Sequence, residues 1–287
     1  MRAPVSGLVL GAVGAVAFSG KAIIVKLAYR YGVDAVTLIM YRMLFALIAW
    51  WSGRGKPALG WSDRAIMAGL GFSGYYLASF LDFAGLAYIT ASLERLILYL
   101  NPTLVLAFSL ALRRTVVKPR QLFALGVSYA GVLLVFGHEV RLEGADVALG
   151  AGLVFGSAVS YAIYLVLSGA HVGRLGALRL TGWASTIACV LCLLQFLLLR
   201  PLSAAWVAPE VLWLSLLNAT ACTVMPVLLV MMAIERVGAT LTAQTGMIGP
   251  VATIVLGVLL LGEPFTAWLA AGTLLVLAGI WLLARAR

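Results

Sequence analysis

The stretch ASLERLILYLNPTLVLAFSLAL at residues 91–112 decides the fold, because a related stretch returns later in the chain. Residues 239–260 read ATLTAQTGMIGPVATIVLGVLL and align with it without a gap, 148 positions further on. The alignment places Pro102 on Pro250. Each stretch supplies the roughly 20 apolar residues that a helix needs to cross the hydrocarbon core of a bilayer. The chain therefore contains an internal repeat, and its unit includes a membrane helix with a proline.

The rest of the 287-residue chain is equally apolar, with 63% hydrophobic and 10% charged residues. A soluble domain carries about a quarter charged residues, so this composition indicates a membrane protein. Backbone groups in lipid must find their hydrogen bonds within their own segment, so each long apolar run predicts a helix. The sequence thus predicts an all-α integral membrane protein. Its ten predicted transmembrane helices are 6–28, 33–52, 65–86, 90–112, 119–136, 148–169, 178–199, 210–233, 239–261 and 264–284.

The repeat unit comprises five of these helices. The same offset carries the Ala-Gly pair at 130–131 onto the pair at 278–279. Because five is odd, the second copy crosses the bilayer in the opposite direction, and we predict two inverted repeats, 1–147 and 148–287. Inverted repeats are typical of alternating-access transporters, which bind substrate near the middle of the membrane. The matched prolines interrupt a helix in each copy, so we expect them to act as hinges.

The distribution of basic residues predicts the orientation. With ten helices both termini share one side, and thirteen Lys and Arg residues fall on that side against three on the other. The basic side of a membrane protein is the cytoplasmic one, so both termini are expected in the cytoplasm. The net charge of +10 is explained by this topology. We therefore expect a lipid bilayer around the chain and no nucleic-acid partner.

Metal and cofactor motifs are not apparent in the sequence. Cys189 and Cys192 have redox-motif spacing but lie in an apolar run, where two small packing residues are the simpler interpretation. His138 and His171 fall in predicted loops without companion ligands. We therefore expect no cofactor and no metal. An integral-membrane lipid-modifying enzyme stays an alternative, with a buried carboxylate as acid or base.

Charged residues inside the predicted helices indicate a polar site. Charges facing hydrocarbon are costly, so they normally face the bundle or water. Five of the six share one depth, near the outer surface, and only Arg42 in the second helix is expected elsewhere. We predict that Lys21, Asp82, Glu94 and Arg95 form an outer polar network, and that Lys26 extends toward the surface. The network is either a scaffold of ion pairs or an outer gate beside the substrate path, and the two roles are compatible.

Aromatic side chains in the apolar spans fit an amphipathic solute, because tyrosine offers an apolar face and a hydroxyl group. Any one of them is also a candidate for core packing. Combined with the charged network, they give the predicted substrate path: Lys21, Tyr76, Asp82, Glu94, Arg95, Tyr99, Ser160, Tyr164, Trp183 and Gln244.

The segment LLLGEPFTAWLAAGTLLVLAG at 259–279, with its Gly262-Glu263-Pro264 signature, resembles the EamA family of the drug/metabolite transporter superfamily. So do the ten helices, the five-helix duplication and the matched prolines. Among its members the chain looks most like the YddG-type amino acid exporters. The first copy departs from the signature, with Arg114-Thr115-Val116 at the corresponding place. The resemblance implies export of small metabolites.

We therefore expect a non-enzymatic inner-membrane exporter of amino acids, with aromatic ones as candidates, or of similar small amphipathic metabolites. The intramembrane charges sum to a positive value, which disfavours lipophilic cations and tolerates zwitterions and anions. The alternative substrate class is therefore anionic metabolites such as nucleotide-sugars. The expected partners are a small-molecule substrate and the bilayer, with the chain acting as a monomer or weak homodimer.

Overall fold

The computed structural model describes residues 5–51, 61–101, 103–105, 107–108, 119–143, 145–175, 177–227, 229–230, 232–233, 236 and 248–285. Helix dominates these ranges, which contain no β-strand. They form ten helical stretches in the places that the apolar runs predict. The predicted all-α fold is therefore confirmed.

The first half contains α1 to α5. The helix α3 joins three continuous segments, and the described part of α4 beyond its first segment stays largely helical to residue 108. The bounds are Val5–Tyr29 for α1, Ala35–Trp51 for α2, Trp61–Leu70, Gly71–Leu77 and Ala78–Leu86 for α3, Ala91–Leu98 for the start of α4, and Pro119–Glu143 for α5.

The second half contains α6 to α10, with a short 3₁₀ turn at Leu202–Ala205 between α7 and α8. Described residues beyond the second segment of α8 remain helical as far as 233. The bounds are Ala145–Leu175 for α6, Ala177–Leu199 for α7, Pro209–Ala219 and Thr220–Val224 for α8, Gly249–Leu256 and Gly257–Leu261 for α9, and Ala267–Arg285 for α10.

Length and composition allow membrane crossing for much of this helical bundle. Within the described ranges, five helices, α1, α5, α6, α7 and α8, contain apolar stretches long enough to span a bilayer. Shorter apolar helices occur in α2, α9 and α10 within the described residues. In α3, α8 and α9 the helix widens into a π-helical turn, at Gly71–Leu77, Thr220–Val224 and Gly257–Leu261. Such turns relax the helical hydrogen-bond ladder and are frequent at functional sites.

The packing has the symmetry of two related halves. The first helix of the first half, α1, packs on α8 and α9 of the second half. Its counterpart α6 packs in the same way on α3 and α4 of the first half. The helix α2 contacts both α7 and α8, and α7 contacts both α2 and α3. The pairs α4–α9 and α5–α10 each join a helix to its own counterpart. Exchanging the two halves therefore maps these contacts onto one another.

The repeated Ala-Gly pairs lie at the contact between α5 and α10. A Cβ atom on Gly131 would lie 2.6 Å from the carbonyl oxygen of Gly272, and one on Gly279 would lie 2.7 Å from the backbone nitrogen of Ser128. Only a residue without a side chain permits this approach, which is how small residues bring membrane helices together. The repeat in sequence thus preserves one close helix contact.

The bundle has two ends: the Asp34 end, and the opposite end, called the terminal end because the first and last described residues lie there. At the Asp34 end, α1, α3, α5, α7 and α9 finish and α2, α4, α6, α8 and α10 begin. Asp34 pairs with Arg200 at 3.0 Å, and Asp63 pairs with Arg174 at 2.6 Å at the terminal end. Partial burial raises the pKa of Asp34, but hydrogen bonds from Thr37 and Arg200 outweigh it and lower that pKa.

Glu263 of the family signature caps the start of α4 from the other half of the molecule. Gly262 ends α9 with a φ of 73°, a conformation that favours glycine. The chain then turns so that Glu263 accepts hydrogen bonds from the backbone nitrogens of Ala91, at 2.7 Å, and Ser92, at 3.2 Å. The Ser92 hydroxyl donates to the same carboxylate at 2.8 Å. A carboxylate here satisfies free N–H groups and complements the helix dipole.

Replacing Glu263 by Ala should lower the stability of the protein markedly. The change strands two buried N–H donors and one hydroxyl, at a cost of about 1–3 kcal/mol for such buried groups. The measurement is the thermal midpoint of the detergent-solubilised protein. Glu210→Ala is the matched control, since Glu210 lies in the first turn of α8 at the same end but is exposed. Equal midpoints for the two variants would contradict the capping role.

Candidate functional site

A cavity of about 500 Å³ lies between the two halves, near the middle of the bundle. Helices α1 to α4 line it from the first half, and α6, α8 and α9 line it from the second. Its charged side chains all come from the first half, among the described residues. The polar and aromatic lining residues are Phe18, Lys21, Arg42, Tyr75, Ser79, Asp82, Arg95, Tyr99, Asn101, Ser157, Tyr161 and Thr223.

The helix geometry makes room for this cavity. The π-helical turn of α3 contributes Gly74 and Tyr75, and the corresponding turn of α8 contributes Thr223. The third helix of each half therefore meets the cavity where its ladder is widened. Gly11 and Ala15 of α1 face the same space with minimal side chains. The small residues in the lining leave between them a volume suited to a small organic molecule.

Three of the predicted network residues form one ion cluster. The Lys21 amino group lies 2.5 Å from Asp82 Oδ2 and 3.1 Å from Glu94 Oε1. Glu94 is fully buried and Asp82 nearly so. Lys21 and Asp82 line the cavity, whereas the buried Glu94 is not part of its lining. One ammonium group thus joins α1, α3 and α4, and it is shared by two carboxylates.

Arg95 lines the same cavity but takes no part in this ion cluster. Its Nε donates to Thr253 Oγ1 at 2.9 Å, and its Nη2 donates to the Phe18 carbonyl at 2.9 Å. Successive residues on a helix point about 100° apart, so Glu94 and Arg95 leave α4 in different directions. The prediction of a single four-residue network is corrected to a three-residue cluster with an adjacent arginine. That arginine connects α4 to α9 and α1.

Arg42 was expected away from the other charges, and that expectation is wrong. It lies seven residues after the start of α2, and Lys21 lies eight residues before the end of α1. At 1.5 Å per residue these positions are about 10 and about 12 Å from the same end of the bundle. Arg42 accordingly lines the same cavity. Counting depth along both helices would have identified it from the sequence.

Aromatic side chains divide between the cavity and the packing behind it. Tyr99 lines the cavity, as do Tyr75 and Tyr161, which the predicted path did not include. Tyr164 stands behind them, with its ring 5.3 Å from that of Tyr75 and 5.5 Å from that of Tyr161. Tyr76 is turned away and packs with its ring 5.7 Å from that of Phe72. Neighbouring tyrosines on α3 therefore serve different surfaces.

The remaining predicted residues lie outside the cavity lining or outside the described residues. The Ser160 hydroxyl donates to the Ser73 carbonyl at 2.8 Å, which fastens α6 to α3. Trp183 packs against a buried cluster that includes Tyr164. Pro250 is buried in the first turn of α9, where a proline removes no helical hydrogen bond. Gln244 and Pro102 lie outside the described residues, so the paired-hinge hypothesis stays a prediction.

Packed apolar residues separate the cluster from the Asp34 end. Ile23, Phe83, Leu86, Ile89 and Leu93 are each exposed by 2% or less. Beyond them, the Lys26 amino group donates to the Ile89 carbonyl at 2.6 Å, in the position expected of a side chain that extends toward the surface. The cavity is therefore closed on this side by a hydrophobic layer above an ion cluster.

These features together define a membrane transporter: two related helical halves, a central cavity between them, and buried charges at its wall. The profile of the EamA-like transporter family matches the chain twice, over residues 5–137 and 148–285. The chain belongs to this family, as the Gly262-Glu263-Pro264 signature suggested. Membership of a transporter family also agrees with the expectation that the chain is not an enzyme.

Individual relatives agree with this assignment. The chain is 31% identical over 281 residues to a Bacillus subtilis (strain 168) protein described as the uncharacterized transporter YcbK. The match covers 92% of this chain and 88% of that relative. A solved crystal structure of another protein has the same fold, with a TM-score of 0.66 over 98% of both chains and 18% sequence identity.

Replacing Lys21 by Met should destabilise the protein severely, because it leaves two carboxylates buried without their cation. Removing one partner of a buried ion pair costs roughly 3–5 kcal/mol. The double change Lys21→Met/Asp82→Leu should recover part of this loss, since it removes a stranded charge as well. Thermal unfolding in detergent measures both, with Lys26→Met as the control at the edge of the same helix. A double variant no more stable than Lys21→Met would disprove the coupling.

Proposed function

We propose that the protein exports amino acids, aromatic ones included, or similar small amphipathic metabolites. The observation that carries this proposal is the composition of the central cavity. About 500 Å³ of space is bordered by Lys21, Arg42, Asp82 and Arg95 and by Tyr75, Tyr99 and Tyr161. A zwitterion with an apolar side chain matches this lining, because it carries charges of both signs and an apolar body. Membership of the EamA-like family supports transport as the activity, and the substrate is the proposed part.

Alternating access would proceed by separation of the helices that the ion cluster holds. Lys21 on α1 binds Asp82 on α3 and Glu94 on α4, and the packed layer above them closes the Asp34 end. Opening that end requires these helices to part and exposes the charges to water. Hydration then compensates for the lost ion pairs, so the cluster is suited to be a gate. Its position beside the cavity also places it on the proposed substrate path.

The chain is proposed to lie in a bacterial inner membrane, with both termini in the cytoplasm. It is proposed to act as a monomer or weak homodimer. The thirteen basic residues on the terminal side support this orientation. The closed Asp34 end would then face the periplasm, and the described conformation would be the one that is shut toward the periplasm.

A reporter fused after Arg287 tests the orientation. Green fluorescent protein, which matures in the cytoplasm, should fluoresce there, and alkaline phosphatase, which needs the periplasm, should be inactive at the same site. Phosphatase fused in the loop between α1 and α2 is the positive control. Phosphatase activity after Arg287 would reverse the proposed topology.

Transport is tested in proteoliposomes with purified protein. Phenylalanine, leucine, lysine and glutamate are loaded inside or outside, with and without a pH gradient, and initial rates are compared with protein-free vesicles. We expect protein-dependent movement of the amphipathic neutral amino acids. No transport of any amino acid by a stable, monodisperse preparation would contradict amino acid export.

The gate hypothesis makes a further prediction about selectivity. In the double variant Lys21→Met/Glu94→Leu, each new side chain is similar in size to the one that it replaces. The variant therefore removes one charge of each sign beside the cavity with little change in volume. If the cluster borders the substrate path, the ratio of rates for phenylalanine and a net-charged amino acid should change several-fold. Glu263→Gln, which acts on α4 away from the cavity, is the control for general loosening. An unchanged ratio in a folded, active double variant would make the cluster a scaffold only.

A carrier of anionic metabolites such as nucleotide-sugars is the second candidate. The observation that favours it is the presence of three cationic side chains, Lys21, Arg42 and Arg95, at one cavity. Two of them have protein partners of opposite charge or hydrogen-bond acceptors, which reduces the charge left for a ligand. Transport of a nucleotide-sugar in the same vesicles, in preference to phenylalanine, would establish this alternative.

A further inference from the structure

Arg42 is a buried cation for which the described residues provide no anion. The residue is 6% exposed, and its Nε has no hydrogen-bond partner. Among the described residues no carboxylate lies at ion-pairing distance from it, although Asp82 acts on it electrostatically. One face of the guanidinium lies over the Phe83 ring, with Cζ 5.1 Å from the ring centroid. The side chain also lines the cavity, so its unsatisfied charge is next to open space.

Such an arrangement is unusual for a structural arginine. Buried charges in proteins are normally paired, and those inside membrane proteins face partners or a functional cavity. The two other cations at the cavity illustrate the usual case. Lys21 contacts two carboxylates, and Arg95 donates to the oxygen atoms of Thr253 and Phe18. Arg42 has instead an aromatic ring, which supports a cation and leaves the edges of the guanidinium for a ligand.

The charges around the cavity indicate how much negative charge the ligand group at Arg42 carries. Lys21, Arg42 and Arg95 contribute three positive charges, and Asp82 and Glu94 contribute two negative charges when ionised. One positive charge is therefore left uncompensated, and the unpaired group is Arg42. A ligand group with a single negative charge balances it, whereas a doubly charged phosphate exceeds it. A planar carboxylate also matches the hydrogen-bond donors of a guanidinium in pairs.

We infer that Arg42 is the binding site for the carboxylate group of the transported substrate. This inference rests on the proposed function and names the chemical class that the cavity selects: a monocarboxylate with an apolar body. The carboxylate lies against the guanidinium, which Phe83 holds in place. The apolar body extends among Tyr75, Tyr99 and Tyr161, which line the same cavity. Asp82 is the cavity carboxylate that an α-ammonium group would approach.

The stability of the ligand-free protein distinguishes a substrate-binding Arg42 from a structural one. Removing a structural arginine lowers stability, because its partners lose their contacts. Removing an arginine whose partner is the substrate takes away an uncompensated buried charge. Arg42→Gln should therefore leave the thermal midpoint of the ligand-free protein equal to or above that of the unmodified protein. A midpoint several degrees lower would assign Arg42 a structural role and overturn the inference.

Binding is tested with three related probes on the full chain in detergent. Phenylalanine carries a carboxylate and an ammonium group, 3-phenylpropanoate carries only the carboxylate, and phenethylamine carries only the ammonium group. Titration calorimetry should give binding of the first two and at least tenfold weaker binding of the amine. Arg42→Gln should weaken binding of both carboxylates by about 10- to 100-fold, as expected for hydrogen bonds to a charged group. Arg42→Lys keeps the positive charge but loses the paired donors of the guanidinium, so it should weaken carboxylate binding less than Arg42→Gln does.

Controls and opposing outcomes make the test decisive. Arg200→Gln is the matched substitution, since Arg200 pairs with Asp34 in a loop away from the cavity, and it should leave all three affinities unchanged. Tighter binding of phenethylamine than of 3-phenylpropanoate to the unmodified protein would overturn the inference without any variant. Phenyl phosphate is the probe for a doubly charged ligand, and its preference over 3-phenylpropanoate would also overturn it.

The same probes keep this inference distinct from the proposed function. Carboxylates that bind through Arg42 in detergent but do not move across proteoliposome membranes would support the site and contradict export. Transport of phenylalanine at an unchanged rate and apparent affinity in Arg42→Gln would support export and contradict the site.

Discussion

A charge can stay inside a membrane protein only where another group of the bundle, water or a ligand compensates for it, and this requirement organises the centre of the molecule. The Lys21 ammonium compensates for Asp82 and, at a longer distance, for Glu94. To do so, it must bring the part of α1 toward the Asp34 end against the end of α3 and the start of α4. The hydrophobic layer above the cluster and the cavity below it follow from that meeting of three helices. The paired charges and the unpaired Arg42 thus lie at the wall of one cavity.

The two halves share an architecture but not a chemistry. Close contacts made by Gly131 and Gly279, and the matched packing of α3 and α8 around the cavity, follow the symmetry of the repeat. The charged lining does not, because within the described residues it comes from the first half alone. The repeat thus accounts for the shared scaffold, whereas the charged lining is specific to one copy. A substrate with a polar and an apolar side suits such a cavity.

Most of the fold could be predicted from the sequence, because apolar length and a matched repeat are local properties of the chain. Lys21, Asp82 and Glu94 were found because charges in apolar runs are conspicuous and their depth can be counted. The direction of a side chain around its helix was harder. Tyr75 and Tyr76 are adjacent, and only packing decides which one meets the cavity. The role of Glu263 depends on a contact between residues more than 170 positions apart. The sequence showed that Glu263 belongs to a family signature but did not show which groups it binds.

That contact has a consequence for biogenesis. The chain is made from its N-terminus, and α4 enters the membrane long before residue 263 leaves the ribosome. Until then the backbone donors of Ala91 and Ser92 lack the carboxylate that they bind in the finished protein. The first half therefore stays an incomplete folding unit during synthesis. It reaches its final stability only after residue 263 has been synthesised, so quality control that samples the nascent chain meets the unsatisfied donors of Ala91 and Ser92 until then.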